Sequence, residues 1–193
     1  MINGKINLAE LLDLKKTFDV VDYDILCRKL KIYGFDNNTI AFFKSYLQDR
    51  VQQIQIGNTK SDKLPVKFGV PQGSILEPLL FILYINDPLM YIQNCQTDMY
   101  ADDSTIHTSG TNIQELQVKV QDVLYCVEKW CEDNCMFINS NKTKCMIIGT
   151  RQNILSQEHE PYVTICSDIL QNSSCEKLLG FKVDPQLNWA SQV

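Results

Sequence analysis

Histidine, tryptophan, glycine and proline are all scarce in this chain, with His 2, Trp 2, Gly 8 and Pro 6 among 193 residues. So little glycine and proline excludes a collagenous or low-complexity chain, and 45% hydrophobic with 21% charged residues excludes a wholly disordered one. A chain of this length buries about 70% of its unfolded surface without needing a metal or disulfides to hold it. Long apolar runs are also missing. The longest, Ile75 to Leu83, is interrupted by Glu77 and Pro78 and is far shorter than the roughly 20 residues that cross a bilayer. The opening residues, Met-Ile-Asn-Gly-Lys-Ile-Asn-Leu, hold neither the apolar stretch nor the small-residue cleavage site of a secretory signal. The expectation is a cytoplasmic or nuclear chain with no membrane partner, whose eight cysteines are thiols rather than a disulfide frame.

Positive charge is in short supply too. The formal net charge is −5, which argues against a free-standing nucleic-acid binder. The average hides a local reversal. Between Leu26 and Lys67 the bases are Arg28, Lys29, Lys31, Lys44, Arg50, Lys60, Lys63 and Lys67, against the acids Asp36, Asp49 and Asp62. A solvated helical face accounts for any one of these charges.

What is present is a mixed pattern. Ile6 to Leu12 reads as a strand running into Asp13. Asp24 is placed to cap a short helix stopped by Gly34, and Ile40, Phe43 and Leu47 keep helical spacing in a second. Val51 to Ile56 and Leu64 to Phe68 alternate like strands joined through Gly57-Asn58. Gly69 to Gly73 is a loop feeding an apolar helix, roughly Ser74 to Asn86. Two short strands flank Asp102-Asp103, Asn112 opens a long amphipathic helix with Trp130 in its apolar stripe, and Cys145 to Ile148 is a further strand. This order predicts an α+β fold, a ferredoxin-like antiparallel sheet with helices on one face. The polar stretch from Arg151 to Pro161 suggests a core over residues 1–150 and a following segment over 151–193.

The chemistry is carried by acids. Adjacent carboxylates at a tight turn, as in Tyr100-Ala101-Asp102-Asp103, repel unless a cation sits between them, and hard oxygen ligands suit Mg²⁺. Asp13, at the end of the first strand, is placed to meet them if that strand neighbours the hairpin. Three such carboxylates can hold two metal ions about 3.5–4 Å apart for phosphoryl transfer. Asp is also common in turns, and Asp19 and Asp22 read as turn or helix-opening residues. Other candidates fall away. Cys126, Cys131, Cys135 and Cys145 lack the Cys-x₂-Cys spacing of a zinc site, and His107 and His159 have no acid or nucleophile partner at useful spacing.

Five blocks in order resemble reverse transcriptases of retrotransposons without long terminal repeats, especially the jockey-like group. The run from Asp13 through Phe18 to Leu26 resembles the first catalytic block, and Gly69-Val-Pro-Gln-Gly-Ser through Phe81 the second. Tyr100-Ala-Asp-Asp resembles the central acidic block, Asn139 to Gly149 the lysine block, and Leu178 to Asp184 the primer-grip block. The resemblance implies a polymerase palm with its fingers largely missing. It implies that residues 151–193 are a linker with the primer grip and the start of a thumb. It makes Asp13 and Asp102 metal ligands, with Asp103 as supporting carboxylate and the Leu14 carbonyl completing a shell. Phe18 would crowd the sugar 2′ position. Gln72 and Gly73 would lie near the incoming nucleotide and template. Lys142 or Lys144 would assist the departing pyrophosphate, and Leu179 and Gly180 would hold the primer end. Implied partners are an RNA template, a DNA primer, deoxynucleotides and the remainder of a retrotransposon polyprotein, and the cofactor is Mg²⁺ (two ions), or Mn²⁺. Glu77 departs from the glycine expected before Pro78; at a φ > 0 position it would cost about 1 kcal/mol. Lys15 and Thr17 are milder departures. The alternative to an RNA-directed DNA polymerase is an inactive palm remnant that binds metal or nucleic acid weakly.

Overall fold

Apolar residues at alternate positions make Ile6–Leu12 the central strand, β1, of a five-stranded sheet. The computed structural model describes residues 5–88, 92, 95–101 and 103–188. Its described residues fall into two compact units, one from Met1–Lys15, Pro88–Glu132 and Ile138–Val193, the other from Lys16–Asp87 and Asp133–Phe137.

In the first unit β1 lies between β7 (Asp103–Gly110) and β8 (Lys144–Ile148), antiparallel to both. β6 (Gln96–Tyr100) and β11 (Gln171–Asn172) close the edges, and β11 is parallel to β8. The expected α+β class therefore holds. The strand period places Ile6, Leu8, Glu10 and Leu12 on one face with Ile106 and Thr108 of β7, all buried. The long helix, Ile113–Asp133, adds a buried stripe of Ile113, Leu116, Val120, Val123, Leu124, Val127 and Trp130. It packs against the same face of the sheet: a Cβ on Gly110 would meet the Leu116 side chain at 2.9 Å. Each fully buried Leu or Ile contributes about 1.5–3 kcal/mol, so this face is the unit's core. Beyond the sheet come a short helix (Arg151–Leu155) and two tight hairpins, β9–β10 (Thr164–Ile165, Asp168–Ile169) and β12–β13 (Glu176–Leu178, Phe181–Val183).

The second unit is built on α1 (Tyr23–Ile32), α2 (Asn37–Leu47) and α3 (Glu77–Ile85). Asp22, not Asp24, caps α1: its carboxylate accepts from the backbone N–H groups of Asp24 and Ile25, both at 2.9 Å. Asp24 then falls in the first turn, where a carboxylate still favours the helix dipole. Lys29, expected on a solvated face, is buried, with Nζ 2.6 Å from both the Tyr84 carbonyl and Asp87 Oδ1. The alternating segment becomes a slender ribbon of β2 (Val51–Gln52) with β5 (Leu64–Pro65) and β3 (Gln55–Ile56) with β4 (Thr59–Lys60). Its turn is Gly57-Asn58, with Gly57 at φ +58°, as a two-residue hairpin loop requires. Strand pairing ends at Pro65, so Val66 and Phe68 lie outside it.

No helix among the described residues is long and apolar enough to cross a membrane.

Candidate functional site

The β1–β7 ladder ends with Leu12 opposite Ser104. Asp13 follows Leu12 and Asp103 precedes Ser104, so the two acids sit at the same end of adjacent strands. Asp103 also closes the β6–β7 hairpin by pairing with Tyr100, and Ala101 in its turn takes the left-handed φ of +53°. Asp102, the remaining acid of this trio, lies outside the described residues. The strand period puts Asp13 and Asp103 on the face away from the core, next to the Leu11–Thr105 pair. That face carries a groove of about 450 Å³ whose lining includes Leu11, Thr105, Met146 and, from β12–β13, Leu178 and Val183.

Asp13 is held from three sides by one loop. Its N–H donates to Thr143 Oγ1 at 3.2 Å, its carbonyl accepts from the Asn139 N–H at 2.8 Å, and its Oδ1 accepts from Asn139 Nδ2 at 2.8 Å. Leu14 continues the same seam through an isolated antiparallel bridge to Ile138. Sequence reading missed Asn139 and Thr143 because they stand 126 and 130 residues from their partner. The signal available was a polar pair opening the lysine block. Within that block Lys142 is exposed on the turn closed by its N–H to the Asn139 carbonyl. Lys144 is engaged at the sheet edge, donating to the Asn141 carbonyl at 3.1 Å and to Gln171 Oε1. Leu179 and Gly180 form the tip of the β12–β13 hairpin, both with positive φ, and the Leu179 side chain is exposed.

The remaining expected residues belong to the second unit. Phe18 is half-buried, its ring 4.2 Å from that of buried Phe81. The Gly69–Gly73 loop is tied to the residues after Phe18 by Val70 N–H to the Phe18 carbonyl, Gly69 N–H to the Val21 carbonyl, and Gln72 Nε2 to Asp19 Oδ1, all at 2.9 Å. Gly69 must be glycine: φ is +83° and a Cβ would lie 2.8 Å from the Asp19 carbonyl oxygen. Gly73, also at positive φ, is open around its Cα and donates its N–H to Glu77 Oε2. Glu77 does not carry the strain expected of it. It begins α3 without a positive φ, and its own N–H donates to Ser74 Oγ at 3.1 Å. These two bonds to the Gly73-Ser74 turn explain why a carboxylate fits there. The expectation that His107 lacks an acid is also corrected, since its Nε2 lies 3.2 Å from Asp98 Oδ2 across the hairpin.

Hard oxygen donors at Asp13 and Asp103 fit a divalent cation of the Mg²⁺ type, and the Asn139 amide on one Asp13 oxygen leaves the other for a metal. No group of three or more His, Cys, Asp or Glu among the described residues is gathered closely enough to hold an ion alone.

The sheet therefore brings two acids far apart in sequence to one end of neighbouring strands. Apo telomerase of Candida tropicalis truncated from its C-terminal domain shares the fold, with a TM-score of 0.64 at 17% identity over 97% of this chain and 35% of that one. Telomerase of Candida albicans, in complex with the TWJ fragment of telomeric RNA, gives 0.61 at 17% identity over 95% and 29%. The chain belongs to the reverse transcriptase (RNA-dependent DNA polymerase) family, which it matches over residues 2–183. Among curated relatives, the RNA-directed DNA polymerase from mobile element jockey of Drosophila melanogaster is 25% identical over 100% of this chain and 21% of its own length. The probable RNA-directed DNA polymerase from transposon BS of the same fly is 30% identical over 94% and 20%. The chain thus spans about a fifth of the length of these relatives.

Proposed function

We propose that this chain is the palm of a retrotransposon RNA-directed DNA polymerase, adding deoxynucleotides to a primer 3′-hydroxyl on an RNA template. The observation that supports this reading most is the meeting of Asp13 and Asp103 at one end of the β1–β7 ladder, two residues separated by most of the catalytic sequence. Asp13, Asp102 and Asp103, with the Leu14 carbonyl, would hold two Mg²⁺ or Mn²⁺ ions. Bound there, the ions would favour the ionised 3′-hydroxyl and neutralise charge on the leaving pyrophosphate.

The chain's own residues do the rest by position. Asn139 and Thr143 fix the backbone and one carboxylate oxygen of Asp13, so no rearrangement is needed when the second oxygen is used. Phe18, tilted against the Phe81 ring, offers a stiff ring that would exclude a 2′-hydroxyl. Gln72 is oriented by Asp19, and Gly73 leaves room for backbone to approach nucleotide and template. Of the two lysines, Lys142 is the one exposed for the pyrophosphate, since Lys144 is engaged with Asn141 and Gln171. Leu179 and Gly180 at the hairpin tip would support the primer end. The remainder of a retrotransposon polyprotein is the further partner.

The test is primer extension by the purified chain on a primed RNA template with Mg²⁺ or Mn²⁺. The reading expects metal-dependent incorporation that Asp103→Asn lowers by at least about a hundredfold. Incorporation indifferent to that change would refute the site. Nucleic-acid binding with no incorporation under either metal would leave the inactive remnant.

A further inference from the structure

The basic reversal noted in the sequence is only partly explained by the fold. Lys29 is consumed by Asp87, and Arg50 Nη1 donates to the Gly69 carbonyl at 3.1 Å. Lys60, Lys63 and Lys67 are exposed, and none has an ion-pair partner among the described residues. They lie on or beside the β2–β5/β3–β4 ribbon, in which every residue from Val51 to Pro65 is exposed.

The ribbon's geometry is specific. Ile54 pairs with Ser61 and Gln52 with Leu64, so Gln53 faces two residues, Asp62 and Lys63. That is a bulge, which re-aims the Lys63 side chain and sharpens the local twist. Lys60 stands opposite Gln55 on one face, while Ile54 and Ile56 share the other. The base is anchored: Val66 N–H donates to the Arg50 carbonyl at 2.8 Å, and Arg50 in turn holds the Gly69 loop. A long, exposed two-stranded ribbon is marginal alone and needs something to lie against. From Arg50 to Lys67 it carries four bases and a single acid, Asp62, within a chain of net charge −5. From Lys60 to Lys67 the extended backbone covers roughly 20 Å, several phosphates of one nucleic-acid strand.

We propose that this ribbon is a phosphate-backbone clamp, with Lys60, Lys63 and Lys67 docking on the RNA–DNA duplex; the proposal rests on the polymerase reading. The contact is independent of base sequence, because the A-form major groove is too narrow for side chains and the lysines reach only phosphates. It explains how an acidic chain engages a polyanion: the favourable field is confined to one projecting element.

The test is fluorescence anisotropy of a labelled RNA–DNA hybrid with the whole chain, titrated across KCl concentrations. The triple variant Lys60→Gln, Lys63→Gln, Lys67→Gln should bind at least about tenfold more weakly at low salt, with the log–log salt slope reduced by about 2–3. A control carrying Lys5→Gln and Arg151→Gln, both exposed and away from the ribbon, should bind as the wild type does. Equal binding and slope for triple variant and wild type would overturn the clamp while leaving the polymerase reading untouched. No hybrid binding by the wild type would overturn both. The clamp is read from hybrid binding alone, so a failed extension assay does not bear on it. If Ile54→Ser with Ile56→Ser dissociates a self-associated chain while the lysine variant binds hybrid normally, the ribbon is a protein contact and the clamp is wrong.

Discussion

Among the described residues each unit buries one carboxylate or amine side chain, and the two are treated in opposite ways. In the helical unit, Lys29 is 6% exposed with Asp87 Oδ1 and the Tyr84 carbonyl both at 2.6 Å and the Tyr84 ring 5.0 Å below its ammonium. Burial pushes its pKa down, and Asp87 pulls it part of the way back. In the sheet unit, Glu10 is 0% exposed and neither carboxyl oxygen has a hydrogen-bond partner, and the nearby Thr108 hydroxyl is unpartnered as well. Burial raises the Glu10 carboxyl well above the usual carboxylate range. Its neighbours across the ladders are Ile106 and Cys145, and the Cys145 thiol is itself pushed up to about 12 by burial and by Glu10. The difference teaches that burial alone does not decide whether a charge fixes a fold. A partnered group fastens α1 to the end of α3, whereas an unpartnered one is a cost carried by the strand that delivers Asp13.

The sharpest way to break this contrast is Lys29→Ala. It removes the ammonium beside the Asp87 carboxylate and should lower stability to urea by about 3–5 kcal/mol, more than any single surface change. A loss below about 1 kcal/mol would mean that Asp87 finds water at no cost.

Glu10→Leu should act in the other direction, raising stability by about 1–3 kcal/mol at neutral pH, since an unpartnered polar group is removed. The pH dependence fixes the cause. The folded-state pKa of Glu10 is raised above its ordinary value of 4.5, so the folded state binds the proton more tightly. The neutral acid's contribution is fully present below that value and is lost as pH rises towards the folded-state pKa. Wild-type stability should therefore decline over that window and the variant's decline should be shallower. Parallel curves from urea melts would show that Glu10 has a partner in solution.

The smallest effect separates two adjacent acids. Asp22→Ala removes the cap of α1 and should cost about 1 kcal/mol, while Asp24→Ala should cost no more than about 0.5 kcal/mol. Thermal melts with the reverse ranking would restore Asp24 as the cap.

That last pair shows where sequence was legible and where it was not. Strand β1 and the Ile113–Asp133 helix were readable because an apolar period is imposed by the element itself, and each stripe is buried. The cap was misplaced because Asp22 and Asp24 satisfy the same local rule and only backbone φ, ψ decide between them. The ribbon was readable as a hairpin through Gly57-Asn58, whereas its exposure was not: Ile54 and Ile56 are 70% and 79% exposed. Of the site, the placing of Asp13 and Asp103 at one end of neighbouring strands followed from strand adjacency. Asn139 on Asp13, Asp98 on His107 and Glu77 on Gly73 did not, since none follows from the chemistry of a motif.

The most direct measurement of the central claim is Mn²⁺ binding to the whole chain, followed by water-proton relaxation with wild type, Asp13→Asn and Asp103→Asn. The account predicts saturable binding that each substitution weakens at least about tenfold, with Asn139→Ala weakening it about 10–100-fold through its hold on Asp13. Binding of equal strength in both aspartate variants and wild type would place the metal elsewhere and contradict the account.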